Sequence, residues 1–183
     1  MKKYLDWASH EYTMRQRMIA LVPLAFLFLL ILPLMLIRGS GRLDRKLRLP
    51  RFRAGRVNRI AGASLGVAGV SFAWWSIGSQ MTAGSGTPVP IMPTQRLVVQ
   101  PPFTFCRNPM TLGTIIGGLG IGVWIGSFSA IAIVGTLATA LLAYIRFIEE
   151  KELEVRFGQD YVDYKRTTPF LLPRGPLLRA KRR

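Results

Sequence analysis

The sequence predicts an all-α integral membrane protein: a bundle of about four transmembrane helices with a C-terminal helical hairpin and an irregular loop before it. Three observations carry this reading. Met18 to Ile37 is a run of twenty residues without a charge, and Thr111 to Ile145 is a second of thirty-five. Uncharged apolar runs of about 20 or more residues match the hydrocarbon core of a bilayer. Between Pro88 and Pro102 fall five prolines, whose fixed φ and missing N–H disfavour helix there. A net charge of +16 would also suit a soluble nucleic-acid binder, but the apolar runs argue against one.

Residues 1–16 mix polar and aromatic side chains and suit an interfacial amphipathic turn. The first span covers 17–37. It carries Pro23 and Pro33 and ends at Ile37-Arg38 without a small-residue cleavage site, so it reads as a retained span and not a signal peptide. A basic connector, 38–59, holds nine Lys or Arg against one Asp. The second span, 57–79, is rich in small residues, and Trp74 and Trp75 suit a membrane–water boundary. Irregular backbone such as 80–110 must be wet or buried in protein around a cavity.

Residues 111–148 are too long for one span, since they would reach about 57 Å against a core of roughly 30 Å. A break at Gly126-Ser127-Phe128-Ser129 divides them into helices over 109–126 and 128–157. The second is ~45 Å long, so its last turns, with Glu149, Glu150, Glu152 and Glu154, leave the bilayer. Gly158 ends it. Four spans put both termini on one side. Charge is divided over which side: sixteen Lys and Arg lie on the termini and the 80–110 loop, nine in the 38–59 connector. Totals place the termini inside, whereas local density places the connector inside.

One cysteine, Cys106, and one histidine, His10, are present. No intramolecular disulfide can form, and a His/Cys zinc site or a His-based triad has too few parts. The stretch "FCRNPMTLG", Phe105 to Gly113, holds the first candidate group. Asn108 is a strong N-cap and Pro109 suits the first helical position. Arg107 beside them contacts lipid headgroups or belongs to a site. Glycines four apart (Gly113 and Gly117, Gly118 and Gly122, Gly122 and Gly126) let helices pack closely, or leave a bare face for a ligand. Arg146 precedes Glu149 and Glu150 by three and four residues, so the three share a helix surface. They are either solvated or self-compensating charges, or the functional group expected of ionisable residues at a membrane edge.

Taken in order, "GTPVPIMPTQRLVVQPPFTFCRNPMTLG", a glycine-rich hairpin and "RFIEEKELEVRFGQDYVDYKRTTPFLLP" form a constellation over about 86–173. It resembles the isoprenylcysteine carboxyl methyltransferase and phospholipid methyltransferase superfamily of integral membrane enzymes. That pattern runs through Leu-Val, Gly-Pro-Tyr and Arg-His/Asn-Pro-x-Tyr-x-Gly to Glu-Glu-x-x-Leu and Phe-Gly-x-x-Tyr. This chain departs from it at Pro101-Pro102-Phe103, Asn108 and Thr111.

The resemblance implies a single membrane domain. Residues 1–79 are then a two-span anchor, 80–173 the catalytic and cofactor-binding region, and 174–183 a basic tail. It implies S-adenosylmethionine as cofactor, bound at the cytosolic membrane edge with both termini cytoplasmic. It implies cofactor contacts from Gln95, Leu97, Val98, Phe103, Arg107, Asn108, Pro109, Met110, Thr111 and Gly113, and from Glu149 or Glu150. Arg146 and Glu150 are its catalytic candidates, with Arg146 on the substrate side.

The implied reaction is methyl transfer to a lipid-like or prenylated acceptor, isoprenylcysteine carboxyl methyltransferase-like, with phospholipid N-methylation as the alternative. Such an in-line displacement depends on alignment more than on a strong acid or base, so the scarcity of histidine is no obstacle. A glutamate can hold the cofactor's ammonium or hydroxyls, and an arginine can orient a carboxylate. An NADPH-dependent sterol-type reductase is a second enzyme reading, but that group has more spans than this chain accommodates. A non-catalytic scaffold is the third. Its partners would be anionic lipid headgroups, met by the basic connector and the "RAKRR" tail.

Overall fold

The computed structural model describes residues 12–52, 55–88 and 92–173. The expected interfacial turn is therefore outside the described residues except at its end, and the basic tail is wholly outside them. The described elements are helices: α1 (Met14–Phe26), a π-helical turn (Leu27–Ile31), α2 (Leu32–Lys46), α3 (Arg56–Thr82), α4 (Pro109–Ile125), α5 (Phe128–Tyr144), a second π-helical turn (Ile145–Glu149), α6 (Glu150–Phe157) and α7 (Gln159–Thr167).

The first span starts and ends differently from the sequence expectation. Thr13 and Gln16 form a capping box, so helix begins at Met14. Helix then continues through the π turn to Lys46, thirty-three residues in all. The π turn lies between Pro23 and Pro33, each of which removes one helical donor. The predicted connector over 38–59 is thereby shortened to the residues between Lys46 and Arg56. The reason is tertiary. Extension buries Asp44 against the α4–α5 turn, where it accepts hydrogen bonds from Ser127 Oγ at 2.7 Å and from the Ser129 N–H at 3.2 Å. Charge density suggested a loop; a buried carboxylate with two donors favours helix instead.

The α3–α4 pair is the most extensive helix contact, and its seam is backbone on backbone. A Cβ added at Gly69 would lie 2.4 Å from Gly117 N and 2.5 Å from Gly113 O. One added at Gly62 would lie 2.4 Å from Trp124 N. Small residues at this spacing allow such approach. On the other side of α4, Gly118 faces Val134 and Gly122 faces Ile131 of α5. Packing thus accounts for the glycine spacing, and neighbouring helices fill the face that a ligand would need.

The hairpin turn falls where expected. Gly126 adopts φ 67°, a left-handed conformation that ends α4. Ser127 Oγ then accepts from the Ala130 N–H at 3.0 Å and starts α5. Asn58 Nδ2 reaches Val123 O and Trp124 O, both at 3.2 Å, and Phe52 N–H donates to Gly126 O at 3.1 Å. Met18, Ile19, Val22, Phe26, Leu29, Val67 and Leu137 point outward, as suits a surface solvated by hydrocarbon.

Three helices are long and apolar enough to cross a membrane: Met14–Lys46, Arg56–Thr82 and Phe128–Phe157. The shorter α4 spans about 26 Å by its rise, close to the thickness of the core, which makes four crossings plausible. One end of the bundle then carries the start of α1, the 83–108 loop, α6, α7 and the segment after it. The other end carries the residues between α2 and α3 and the α4–α5 turn.

Candidate functional site

The irregular loop is fastened to the helix ends around it. Gly84 O accepts from the N–H groups of Gln95 at 2.7 Å and Arg96 at 3.2 Å, and Ser79 Oγ donates to Pro101 O at 3.0 Å. An added Cβ at Gly86 would meet Thr94 Cα at 2.3 Å, so this crossing requires glycine. The Arg156 guanidinium donates to Thr94 O. Val98 and Phe103 are buried with Tyr161 and Tyr164 in one cluster, edged by Ala83, Leu97, Leu153 and Phe157. Tyr164 Oη donates to Phe103 O at 2.7 Å. Burial pushes the Tyr161 and Tyr164 phenols up from their ordinary value, so both stay neutral.

Beside this cluster lies the polar centre. Arg107 Nε and Nη2 both donate to Glu150 Oε1, at 2.9 and 2.6 Å. Glu150 Oε2 takes Arg146 Nη1 at 2.6 Å and Lys165 Nζ at 3.2 Å. The side chain of Glu150 is 1% exposed and that of Arg107 6%, so this pair is withdrawn from water and shares its charge with two further cations. Arg107 Nη1 also donates to Lys165 O at 2.9 Å and Thr168 O at 2.6 Å. The Arg107 N–H donates to Pro169 O at 2.9 Å. Both guanidiniums lie over the Phe170 ring, Arg107 at 5.6 Å and Arg146 at 5.7 Å from its centroid.

The explanation of Arg107 as a lipid-headgroup contact is therefore corrected: it is an internal tie among the α4 start, the α6 start and the segment after α7. Asn108 is a second correction. It precedes Pro109 as expected, but its side chain makes no cap. Its Nδ2 donates to Phe170 O at 2.9 Å instead. The Asn108 side chain thus supplies no acceptor to the first-turn N–H groups of α4, and that turn holds no acidic residue.

Apart from Gln95, the expected site residues divide into three groups. Arg107, Asn108, Arg146 and Glu150 converge, with Glu149 next to them at the end of the π turn. Leu97, Val98 and Phe103 belong to the adjoining apolar cluster. Pro109, Thr111 and Gly113 are buried along the start of α4 and Met110 is partly buried there. Gly113 lies in the seam with α3, where an added Cβ would be 2.6 Å from Ala73 N. Gln95 turns back on its own loop, its Nε2 donating to Pro93 O at 2.9 Å.

Glu149 and Glu150 have different environments. Glu150 has both oxygens in ion pairs, whereas Glu149 forms no ion pair with a described residue. Sequence reasoning did not single out Lys165, Thr168 or Phe170. The available signal was "YKRTTPF", which follows the Phe-Gly-x-x-Tyr match at fixed distance. Among the described residues no three His, Cys, Asp or Glu side chains gather into a group that could hold a metal.

Chemically, three cations meet one buried carboxylate, and Lys165 is shared with Glu154 at 2.7 Å. Arg146, with its side chain 49% exposed, is the cation best placed to meet a ligand. Apolar helices of spanning length, with an arginine–glutamate centre fastened at one end of the bundle, define a multi-pass membrane protein with a polar centre at that end. The chain belongs to the phospholipid methyltransferase family, whose sequence model matches residues 57–160. It is also similar to the nickel-cobalt-cadmium resistance protein NccN of Alcaligenes xylosoxydans xylosoxydans. The two are 33% identical over 85 residues, 46% of this chain and 39% of that protein. The match thus spans about two fifths of the relative's length.

Proposed function

We propose that the protein transfers a methyl group from S-adenosylmethionine to a lipid-borne acceptor at the cytosolic edge of the membrane. The observation that carries the reading is the division of labour between Glu149 and Glu150. Glu150 is saturated by cations and orients Arg107 and Arg146. Glu149, without an ion-pair partner among the described residues, is the carboxylate left to meet the cofactor's ammonium. The uncapped α4 start supplies backbone donors for an anionic group. The cofactor, when bound, supplies an electrophilic methyl. The chain's own task is alignment, which suits a centre of fixed ion pairs rather than a free base.

Arg146 faces outward beside the centre and orients a carboxylate-bearing acceptor, such as a prenylated cysteine. A phospholipid amine is the second reading, favoured by the family match over 57–160. Calorimetry in detergent tests the cofactor assignment. Wild type is expected to bind S-adenosylmethionine, Glu149→Gln to lose at least about tenfold in affinity (~1.4 kcal/mol), and Glu149→Gln to keep its melting temperature. No binding by folded wild type overturns the reading. Labelled methyl transfer to a prenylcysteine analogue or to membrane phospholipid decides the acceptor.

A further inference from the structure

The opposite end of the bundle carries a second feature that the methyl-transfer reading does not use. A cavity of about 500 Å³ opens there, lined by Arg51, Gly55, Asn58, Arg59, Trp124 and Ile125. We propose that this cavity binds the phosphate of an anionic glycerophospholipid in the leaflet opposite the cofactor site.

Its chemistry is one-sided. Among the described residues two guanidiniums line it and no carboxylate does. Neither Arg51 nor Arg59 forms an ion pair with a described residue. The acidic side chain on this face, Asp44, is buried and takes hydrogen bonds from Ser127 and Ser129; Arg51 also acts on it electrostatically, which leaves Arg59 as the less compensated of the two guanidiniums. Guanidinium forks match phosphate oxygens bidentately. The first turn of α3 has no acidic residue and no side-chain cap, so its free N–H groups add to the positive field.

Hydrogen bonds of the lining and of its neighbour tie the helix ends around the cavity together. Asn58 Nδ2 is fixed on Val123 O and Trp124 O, which pins the α3 start to the α4 end and sets the distance between Arg59 and Trp124. Phe52 N–H on Gly126 O tethers the segment that carries Arg51.

A lipid is favoured over free phosphate by the other two walls. Trp124, 49% exposed, and Ile125 end the apolar helix α4. An indole at that depth suits the glycerol and upper acyl region.

The test uses the full chain in neutral detergent, titrated separately with short-chain phosphatidylglycerol, short-chain phosphatidylcholine and inorganic phosphate, with binding read by calorimetry. Phosphatidylglycerol is expected to bind at least tenfold tighter than either other titrant. Arg51→Gln/Arg59→Gln is expected to lose at least tenfold in that affinity. Arg42→Gln/Arg45→Gln removes two exposed arginines of the same basic region that do not line the cavity, and is expected to change it less than twofold. Equal loss in the two double variants means diffuse surface charge and overturns the site. Equal affinity for the two lipids also overturns it, and phosphate binding as tight as phosphatidylglycerol overturns the lipid source. S-adenosylmethionine binding is expected to be unchanged in Arg51→Gln/Arg59→Gln, so this proposal and the methyl-transfer reading stand or fall separately.

Discussion

Arg107 and Glu150 lie forty-three residues apart in the chain, yet two nitrogens of the one reach a single oxygen of the other at 2.9 and 2.6 Å. The contact joins the start of α4 to the start of α6 across the membrane hairpin. Both side chains are almost fully buried, so removing either leaves an uncompensated charge in a poorly hydrated place. Such losses cost about 3–5 kcal/mol.

Arg107→Ala and Glu150→Ala are each expected to destabilise by about that amount in reversible detergent unfolding. The double variant should be less destabilised than the sum of the two by at least ~1 kcal/mol, since the second truncation removes the orphaned charge. Additive effects would show that the pair is not coupled.

The glycine seam gives a sharper contrast. Gly69→Ala would place a methyl 2.4 Å from the Gly117 backbone nitrogen, and backbone cannot step aside cheaply. A loss of about 1–3 kcal/mol is expected. At Gly78, on the same helix, an added Cβ meets nothing within 4 Å. Gly78→Ala should be neutral or stabilising by up to ~1 kcal/mol through helix propensity. Equal melting temperatures for the two variants would contradict the seam.

Two titrations report on the loop and its neighbours. Cys106 is the single cysteine of the chain and is fully buried. Burial pushes its thiol up from the ordinary value, so a maleimide at pH 8 should label the folded protein slowly and the unfolded protein at once. For Tyr161 and Tyr164 the folded state favours the neutral phenol. Their contribution to stability is complete below the unfolded value near pH 10 and falls as pH rises above it. Phenolate absorbance should therefore leave two tyrosines un-ionised until the helical circular dichroism is lost. All five tyrosines of the chain ionising together near pH 10 in folded protein would refute this.

Much of the fold was legible because hydrocarbon imposes a simple demand on sequence. Spans must be apolar and of bilayer length, and α4, α5 and the turn at Gly126 followed from that alone. The start of α2–α3 connection was not legible, because helix through Lys46 depends on Asp44 finding Ser127 and Ser129 some eighty residues away. In the site, the i,i+4 pair of Arg146 and Glu150 could be read from spacing. The part played by Arg107 could not. Its partners, Glu150 and the carbonyls of Lys165 and Thr168, come from elements whose meeting no local pattern encodes. Asn108 shows the same effect in reverse: a strong capping preference yields to a tertiary acceptor, Phe170 O.

The reach of Arg107 and Asn108 to residues 165–170 also bears on biosynthesis. Synthesis runs from the N-terminus, so the membrane-length helices among the described residues are complete before Phe170 leaves the ribosome. Until then Arg107 and Asn108 lack those carbonyls, and Arg107 lacks the aromatic ring above it. A nascent chain halted short of that point would sit in the bilayer with its helices formed and its polar centre unassembled. The arrangement makes competence wait for residues 165–170 to emerge.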